Sequence, residues 1–208
     1  LFCPIEMDRG NPISLKNNNK PVANALARWQ SASKNLFVWD YTVQFANYMS
    51  PFPNLSYFEE NYTTFKANNV KGLFVQGYAD VPGDFSELRQ YLLAKIIWNT
   101  QIDVKATTAD FLRGFYGKAA SEIENYLKLL SENQKKSKAY LDIYSGPVQN
   151  RTTYLTPEAM NQYDKFLEKA WQAVDEDKTI QKRVEKLRLA LEYTYFEQAK
   201  FYGADAHG

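Results

Sequence analysis

The chain has 208 residues, of which 45% are hydrophobic and 24% charged, proportions that are ordinary for a globular protein of one or two domains. Its 25 basic and 24 acidic side chains leave a net charge of +1, too little to attract nucleic acid or an anionic membrane surface. No stretch reaches the roughly 18 consecutive apolar residues of a membrane span. We therefore predict neither a nucleic-acid partner nor membrane insertion.

The counts of cysteine and histidine restrict the chemistry further. The sequence contains one cysteine, Cys3, and one histidine, His207, which lies in the terminal tail. These counts exclude an internal disulfide, a cysteine zinc site, a Ser-His-Asp triad and a histidine metal cluster. Any catalysis must then rely on Asp, Glu, Tyr, Lys or Arg, and no cofactor or metal is predicted.

Aromatic residues make up 15% of the chain, with 15 Tyr, 13 Phe and 4 Trp. Most of these rings are expected in the cores of helices. Sugar-binding clefts also require flat apolar faces with polar rims, so the aromatic excess mildly favours a carbohydrate ligand.

The first half of the chain alternates short apolar runs with helical patterns. Strands are predicted at 1–5, 36–41 and 70–76, and helices at about 21–33 and 55–68. Alternation of this kind is typical of a parallel sheet with helical crossovers.

From residue 84 onward the apolar period is helical. Asp84, with Glu87 three positions later, predicts a capping pair at the start of the first of these helices. Thr156 followed by Pro157 predicts another helix start. The later helices are predicted at about 107–116, 123–144, 157–174 and 180–203. We expect residues 118–203 to form a helical hairpin or a three-helix bundle.

The fold class predicted from these elements is α/β. Three parallel strands form a poor independent domain, because a parallel sheet needs both of its faces covered. A closed eight-stranded barrel takes about 250 residues. We therefore predict that residues 1–117 are the C-terminal strands and helices of a TIM-like barrel, followed by a helical bundle at 118–208. The apolar start without Met is consistent with a fragment of a larger protein.

The candidate site lies where the predicted strands end, at 6–8, 39–41 and 76–78. Active sites in parallel α/β folds gather at that edge, although polar residues also collect there because strand ends meet solvent. Paired carboxylates beside aromatic faces are what glycoside hydrolysis uses. The candidate catalytic residues are Asp40, Glu6 and Asp8. The candidate substrate-binding residues are Trp39, Tyr41, Gln76 and Tyr78.

Asp40 is the stronger catalytic candidate, since a solvated turn rarely needs a ring on each side. Strand alternation nevertheless places Trp39 and Tyr41 on one face and Asp40 on the other. The backbone must twist near Trp39 for all three to share a cleft. A structural Asp40 would instead cap the following segment, accepting a bond from the N–H of Val43 or a nearby residue.

Several motifs in fixed order resemble those of the DUF4838 family of bacterial proteins, common in gut Bacteroidetes. They are Trp39-Asp40-Tyr41, Pro51-Phe52-Pro53-Asn54, the run GLFVQG at 72–77 and the run LRQYLLAK at 88–95. The resemblance implies a relation to glycoside hydrolases of the α-glucuronidase and hexosaminidase kind, with a barrel and a helical C-terminal region. It further implies polysaccharide processing and a periplasmic or extracellular location. It carries over no catalytic residue.

The leading hypothesis is the C-terminal portion of a glycoside-hydrolase-like protein that acts on or binds a complex polysaccharide. The alternative is a non-catalytic carbohydrate-binding or protein-interaction module. Carbohydrate is the expected ligand, and the expected protein partner is a second copy or the missing N-terminal part of the same protein. Convergence of Glu6 and Asp40 in an open pocket, with carboxyls some 5 to 10 Å apart, would favour hydrolysis.

Overall fold

The computed structural model describes residues 1–77 and 83–203, and most of them are helical. The strands are β1 (Leu36–Tyr41) and β2 (Val70–Gln76). The α-helices are α1 (Lys20–Ala32), α2 (Phe58–Ala67), α3 (Ser86–Trp98), α4 (Val104–Tyr116), α5 (Ala120–Ser137), α6 (Pro157–Gln172) and α7 (Lys178–Tyr202). None of these described helices is long and apolar enough to cross a membrane.

Strands β1 and β2 pair in parallel, with Trp39 opposite Phe74 and Tyr41 opposite Gln76. Both strands have the bounds that the sequence predicts. The predicted strand at 1–5 is wrong, because Phe2 alone forms a bridge, to Val38 on the other edge of β1. Pro4 lacks an N–H for a ladder, and its carbonyl instead accepts a turn bond from the Met7 N–H at 3.2 Å.

The fold is mixed α/β with a two-stranded parallel sheet, and the described residues contain no closed barrel. Helix α2 connects β1 to β2 as the crossover that parallel strands require.

The two faces of this sheet differ sharply in burial. On the covered face, Leu36, Val38 and Asp40 are buried in β1, and Leu36 and Val38 belong to the core that includes Tyr62 and Phe65 of α2. On the open face, strand alternation and register bring together six residues. These are Phe37, Trp39 and Tyr41 of β1 and Gly72, Phe74 and Gln76 of β2.

One hydrophobic core runs through both halves of the chain. It includes Leu88 and Leu92 of α3, Tyr126 of α5 and Leu167 of α6. The predicted domain boundary between residues 117 and 118 therefore lies within a continuous core. The division of the chain into two domains stays a prediction.

Two helix ends differ from the sequence prediction. Helix α3 begins at Ser86 without a side-chain cap, because the Asp84 carboxylate turns away to accept the Phe52 N–H at 3.0 Å. Helix α5 ends at Ser137 rather than near 144, because Lys138 adopts a left-handed conformation with φ of 55°. The predicted cap at Thr156 is confirmed, since its side chain accepts the Ala159 N–H at 3.2 Å.

Candidate functional site

Asp40 lies in a closed ion pair beneath the sheet. Its carboxylate is almost fully buried, with the side chain 6% exposed, and Arg9, 3% exposed, donates from Nη1 to Oδ1 at 2.9 Å. The Tyr41 N–H donates to the same oxygen at 2.9 Å, so the backbone contact falls on Tyr41 rather than Val43. The geometry favours a structural role for Asp40, as the anion that neutralises a buried guanidinium.

Tyr62 of α2 borders the same carboxylate from the helical side. Burial raises the pKa of Tyr62 well above its ordinary value, and the negative charge of Asp40 raises the pKa further. The Tyr62 ring is buried on α2. Asp40 is thus enclosed by a guanidinium and a neutral phenol, on the face of the sheet that points away from solvent.

Asp8 is also buried, and both of its carboxylate oxygens are occupied. Oδ1 accepts the N–H of Gly10 at 2.9 Å and of Leu141 at 3.1 Å, while Oδ2 accepts the amides of Asn11 at 2.8 Å and Asn18 at 3.1 Å. A carboxylate with four donors in place is suited to holding a loop. A catalytic role for Asp8 stays a prediction, and this geometry does not favour it.

Glu6 differs from both, since it is exposed. Its backbone carbonyl accepts the Tyr140 hydroxyl at 2.5 Å, and its carboxylate makes no hydrogen bond to the described residues. Asp40 is sealed and Glu6 faces solvent, so the two carboxylates do not form an accessible pair.

Segment 139–146, which follows α5, fastens the loops at the carboxyl edge of the sheet. Its backbone carbonyls accept the Arg9 N–H at 2.9 Å, the Ala46 N–H at 2.9 Å and the Gln44 side-chain amide at 2.9 Å. The sequence prediction contains none of these contacts, because it continues the preceding helix to about residue 144. The helical half therefore positions the loops of the candidate site.

Aromatic rings form a continuous surface on the open face and at its carboxyl edge, which we call the aromatic row. Its members, in order of contact, are Phe74, Trp39, Tyr41, Phe45 and Tyr48. The successive centroid separations are 4.9, 6.4, 5.6 and 5.9 Å. Phe74 is 55% exposed and Phe45 44%, and the other three are half-buried. The rings of Trp39 and Tyr41 lie within 18° of parallel.

Polar groups without partners accompany these rings. The indole Nε1 of Trp39 is buried and has no hydrogen-bond partner among the described residues. The Tyr41 hydroxyl and the Gln76 side-chain amide make none within 1–77 and 83–203. Burial raises the pKa of Tyr41, so its hydroxyl stays a neutral donor and acceptor at physiological pH. Three of the predicted binding residues are thus brought together, and Tyr78 lies outside the described residues.

Arg9 links the buried ion pair to this surface. Its guanidinium carbon lies 5.6 Å from the centroid of the Tyr41 ring, while Nη1 holds Asp40. A cation in this position is attracted to the ring face. Asp40 is therefore linked to Tyr41 in two ways. It accepts the Tyr41 N–H, and it holds the Arg9 cation near the Tyr41 ring.

A second buried ion pair holds the loop that follows β1. The guanidinium of Arg89 donates to the carbonyl of Thr42 at 2.8 Å and to Oδ1 of Asn54 at 2.5 Å, and it lies 3.3 Å from Asp84. Burial raises the pKa of Asp84, although Arg89 opposes the shift. The Asp84 N–H donates to the Tyr48 carbonyl at 3.0 Å, so this pair also supports one end of the aromatic row.

Each of the two buried ion pairs includes one residue of the motifs that carry the resemblance, Asp40 in the first pair and Arg89 in the second. A family model described as a domain of unknown function, DUF4838, matches residues 1–128. The chain belongs to the DUF4838 family. The DUF4838 match includes both strands, the aromatic row and both buried ion pairs, and it ends within α5. No curated protein and no solved structure matches the chain.

Sequence reasoning missed Phe74, Phe45 and Tyr48. Phe74 could have been found from the register, because two parallel strands of known bounds place it opposite Trp39. Phe45 and Tyr48 lie in a loop, where no periodicity predicts the direction of a side chain.

Proposed function

We propose that this DUF4838 chain binds carbohydrate through the aromatic row. The observation that carries the proposal is the combination of the exposed rings of Phe74 and Phe45 with two polar groups beside them, the Tyr41 hydroxyl and the Gln76 side-chain amide, which make no hydrogen bond to the described residues. Sugar rings offer apolar C–H faces that pack on aromatic rings, and hydroxyls that need donors and acceptors. A purely apolar partner would leave the Tyr41 hydroxyl and the Gln76 amide unsatisfied.

Binding is supported better than hydrolysis. A glycosidase needs two carboxyl groups that both reach the scissile bond. Asp40 is closed by Arg9 and Asp8 is saturated, which leaves Glu6 as the accessible carboxylate among the three candidates. Catalysis would therefore need a carboxylate from outside the three strand ends.

A larger glycoside-hydrolase-like protein with a TIM-like barrel fits the same proposal. The parallel β1–α2–β2 unit has its helix packed against one face of the sheet, as each unit of such a barrel does. The aromatic row would then lie at the mouth where barrel active sites are found. The sheet would be completed by a further part of the same protein or by a second copy. A polysaccharide ligand would also suit a periplasmic or extracellular location.

The test is retention of the purified chain on soluble polysaccharides, by affinity electrophoresis followed by calorimetry. We expect Trp39→Ala to weaken binding at least tenfold, because it removes a central ring of the aromatic row. The matched control is Trp98→Ala, which removes a tryptophan that is 93% exposed at the end of α3. A melt of each variant separates loss of binding from loss of fold.

Three results would oppose the proposal. The first is a panel in which no polysaccharide is retained. The second is equal binding by Trp39→Ala and the parent. The third is capture of a second copy that survives Trp39→Ala, with no sugar bound, which would favour the interaction module.

A further inference from the structure

The aromatic row is longer than one sugar ring can cover. It runs from Phe74 on β2, across Trp39 and Tyr41 on β1, to Phe45 and Tyr48 in the following loop. Its two most exposed rings, Phe74 and Phe45, lie on opposite sides of the central pair. A monosaccharide on the central pair would leave at least one of these exposed rings unused.

The orientations of the rings separate the row into distinct contact positions. Trp39 and Tyr41 are 18° from parallel, whereas the Phe45 ring is turned 84° from Tyr41. Phe74 is turned 72° from Trp39. A rigid flat ligand could not lie against all of these faces at once. A chain of rings joined by rotatable bonds could place successive rings at successive positions.

The charges near the row are unfavourable to an acidic sugar. Among the described residues, the cation that lies against a ring of the row is Arg9, which is 3% exposed and already paired with Asp40. A carboxylate on the ligand would therefore find no available counter-charge at Arg9, and its desolvation would be unrewarded.

We infer that the ligand is a neutral, linear oligosaccharide longer than a disaccharide, which lies along the row. The inference rests on the proposed carbohydrate function and specifies its substrate class. Phe74 forms one end position, Phe45 together with Tyr48 forms the other, and the Trp39–Tyr41 pair with Gln76 lies between them.

The experiment measures Kd by calorimetry for neutral di-, tetra- and hexasaccharides of the cello-, xylo-, manno- and malto- series. In the series that binds, we expect the tetrasaccharide to bind at least tenfold more tightly than the disaccharide. Tetragalacturonate serves as the anionic probe of matched length and is expected to bind more weakly than the neutral tetrasaccharide.

Phe45→Ala tests the end position. We expect it to remove most of the gain between di- and tetrasaccharide while leaving the disaccharide Kd within about twofold. The matched control is Phe111→Ala, which removes a half-buried phenylalanine of α4 that stacks on Phe115. This control is expected to keep the full dependence on chain length.

The failures can be told apart. If no saccharide of any length binds, the proposed function fails and this inference fails with it. If a saccharide binds but the di- and tetrasaccharide have equal Kd, the carbohydrate function stands and the extended site is refuted. Tighter binding of tetragalacturonate than of the neutral tetrasaccharide would refute the neutral class alone.

Discussion

The two faces of strand β1 carry residues with opposite functions. On the covered face, Asp40 is 4% exposed and holds Arg9. On the open face, Trp39 and Tyr41 present ring surfaces, and the Tyr41 hydroxyl makes no hydrogen bond to the described residues. Because side chains alternate along a strand, three consecutive residues serve two separate purposes. The carboxylate that looks most catalytic in the sequence has the contacts of a structural residue, and its aromatic neighbours belong to the surface for which we propose binding.

The difference between the faces predicts that substitutions will divide cleanly between stability and binding. The largest effect on stability is expected from Arg9→Met on the covered face. It leaves Asp40 buried without a counter-ion, and breaking a buried pair in this way costs about 3–5 kcal/mol. Urea unfolding monitored by fluorescence measures the loss.

The control for Arg9→Met is Arg113→Met. Arg113 forms an exposed pair with Asp110 at 3.6 Å, with both side chains 68% exposed. Exposed pairs of this kind contribute about 0–1 kcal/mol. Equal destabilisation by the two variants would show that the Arg9–Asp40 pair is not a buried structural contact.

Asp40→Asn is expected to have the next largest effect. The amide keeps the shape and can still accept a bond from Arg9, but it does not neutralise the guanidinium. We expect a loss of about 2 kcal/mol, in the range for a buried hydrogen bond to a charged group. Calorimetric affinity for the bound saccharide should stay within about twofold of the parent.

Asp40→Asn also distinguishes the structural role from the catalytic one. Loss of a measurable glycan turnover in a variant of unchanged stability would restore Asp40 as a catalytic residue. Lowered stability with intact binding supports the division between the faces.

Phe74→Ala on the open face should show the reverse pattern. Its ring is 55% exposed and makes an edge contact with Trp39 at 4.9 Å, so its removal should cost about 1 kcal/mol or less. Oligosaccharide affinity should fall about tenfold, because an end position of the row is lost. A Phe74→Ala variant that loses stability but keeps its affinity would mean that Phe74 supports the sheet and does not contact the ligand.

The sequence was sufficient for the parts of the fold that depend on local periodicity. The bounds of β1 and β2 and the start of α6 at Pro157 follow from apolar runs, strand alternation and capping chemistry. The prediction of a strand at 1–5 was wrong, because Pro4 and the turn bond that it accepts interrupt the apolar run. Family membership was also predicted, since its motifs occur in a fixed order.

The candidate site was predictable only in part. Trp39, Tyr41 and Gln76 were found because strand ends meet at one edge. The partner of Asp40 was not found, because Arg9 lies 31 residues away and the pairing depends on the turn after Phe2. Likewise, Leu141 reaches Asp8 across 133 residues, and no local pattern encodes a contact of that range.

The smallest effect on the free energy of unfolding is expected from Gly72→Ala, which tests how freely side chains on the open face can move. A Cβ at Gly72 would lie 2.6 Å from Cδ1 and Cε1 of Phe37 on the open face. Phe37 is 49% exposed, so its ring can swing into solvent to relieve the contact. Replacing glycine by alanine also reduces the freedom of the unfolded chain, which stabilises by about 0.4–1 kcal/mol where the backbone allows it. We expect Gly72→Ala to change the free energy of unfolding by about 0.5 kcal/mol or less in either direction.

Gly10→Ala is the matched substitution at a buried site. A Cβ there would lie 2.3 Å from Nε2 of Gln134 and 3.1 Å from Oδ1 of Asp8, within a network that has no solvent to move into. Overpacking of this kind costs about 1–3 kcal/mol. Denaturant unfolding of the two variants side by side should therefore give a clear loss for Gly10→Ala and almost none for Gly72→Ala. An equal loss at both positions would mean that the open face is packed as rigidly as the buried network, and Phe37 and its neighbours would then be part of the scaffold rather than a free surface.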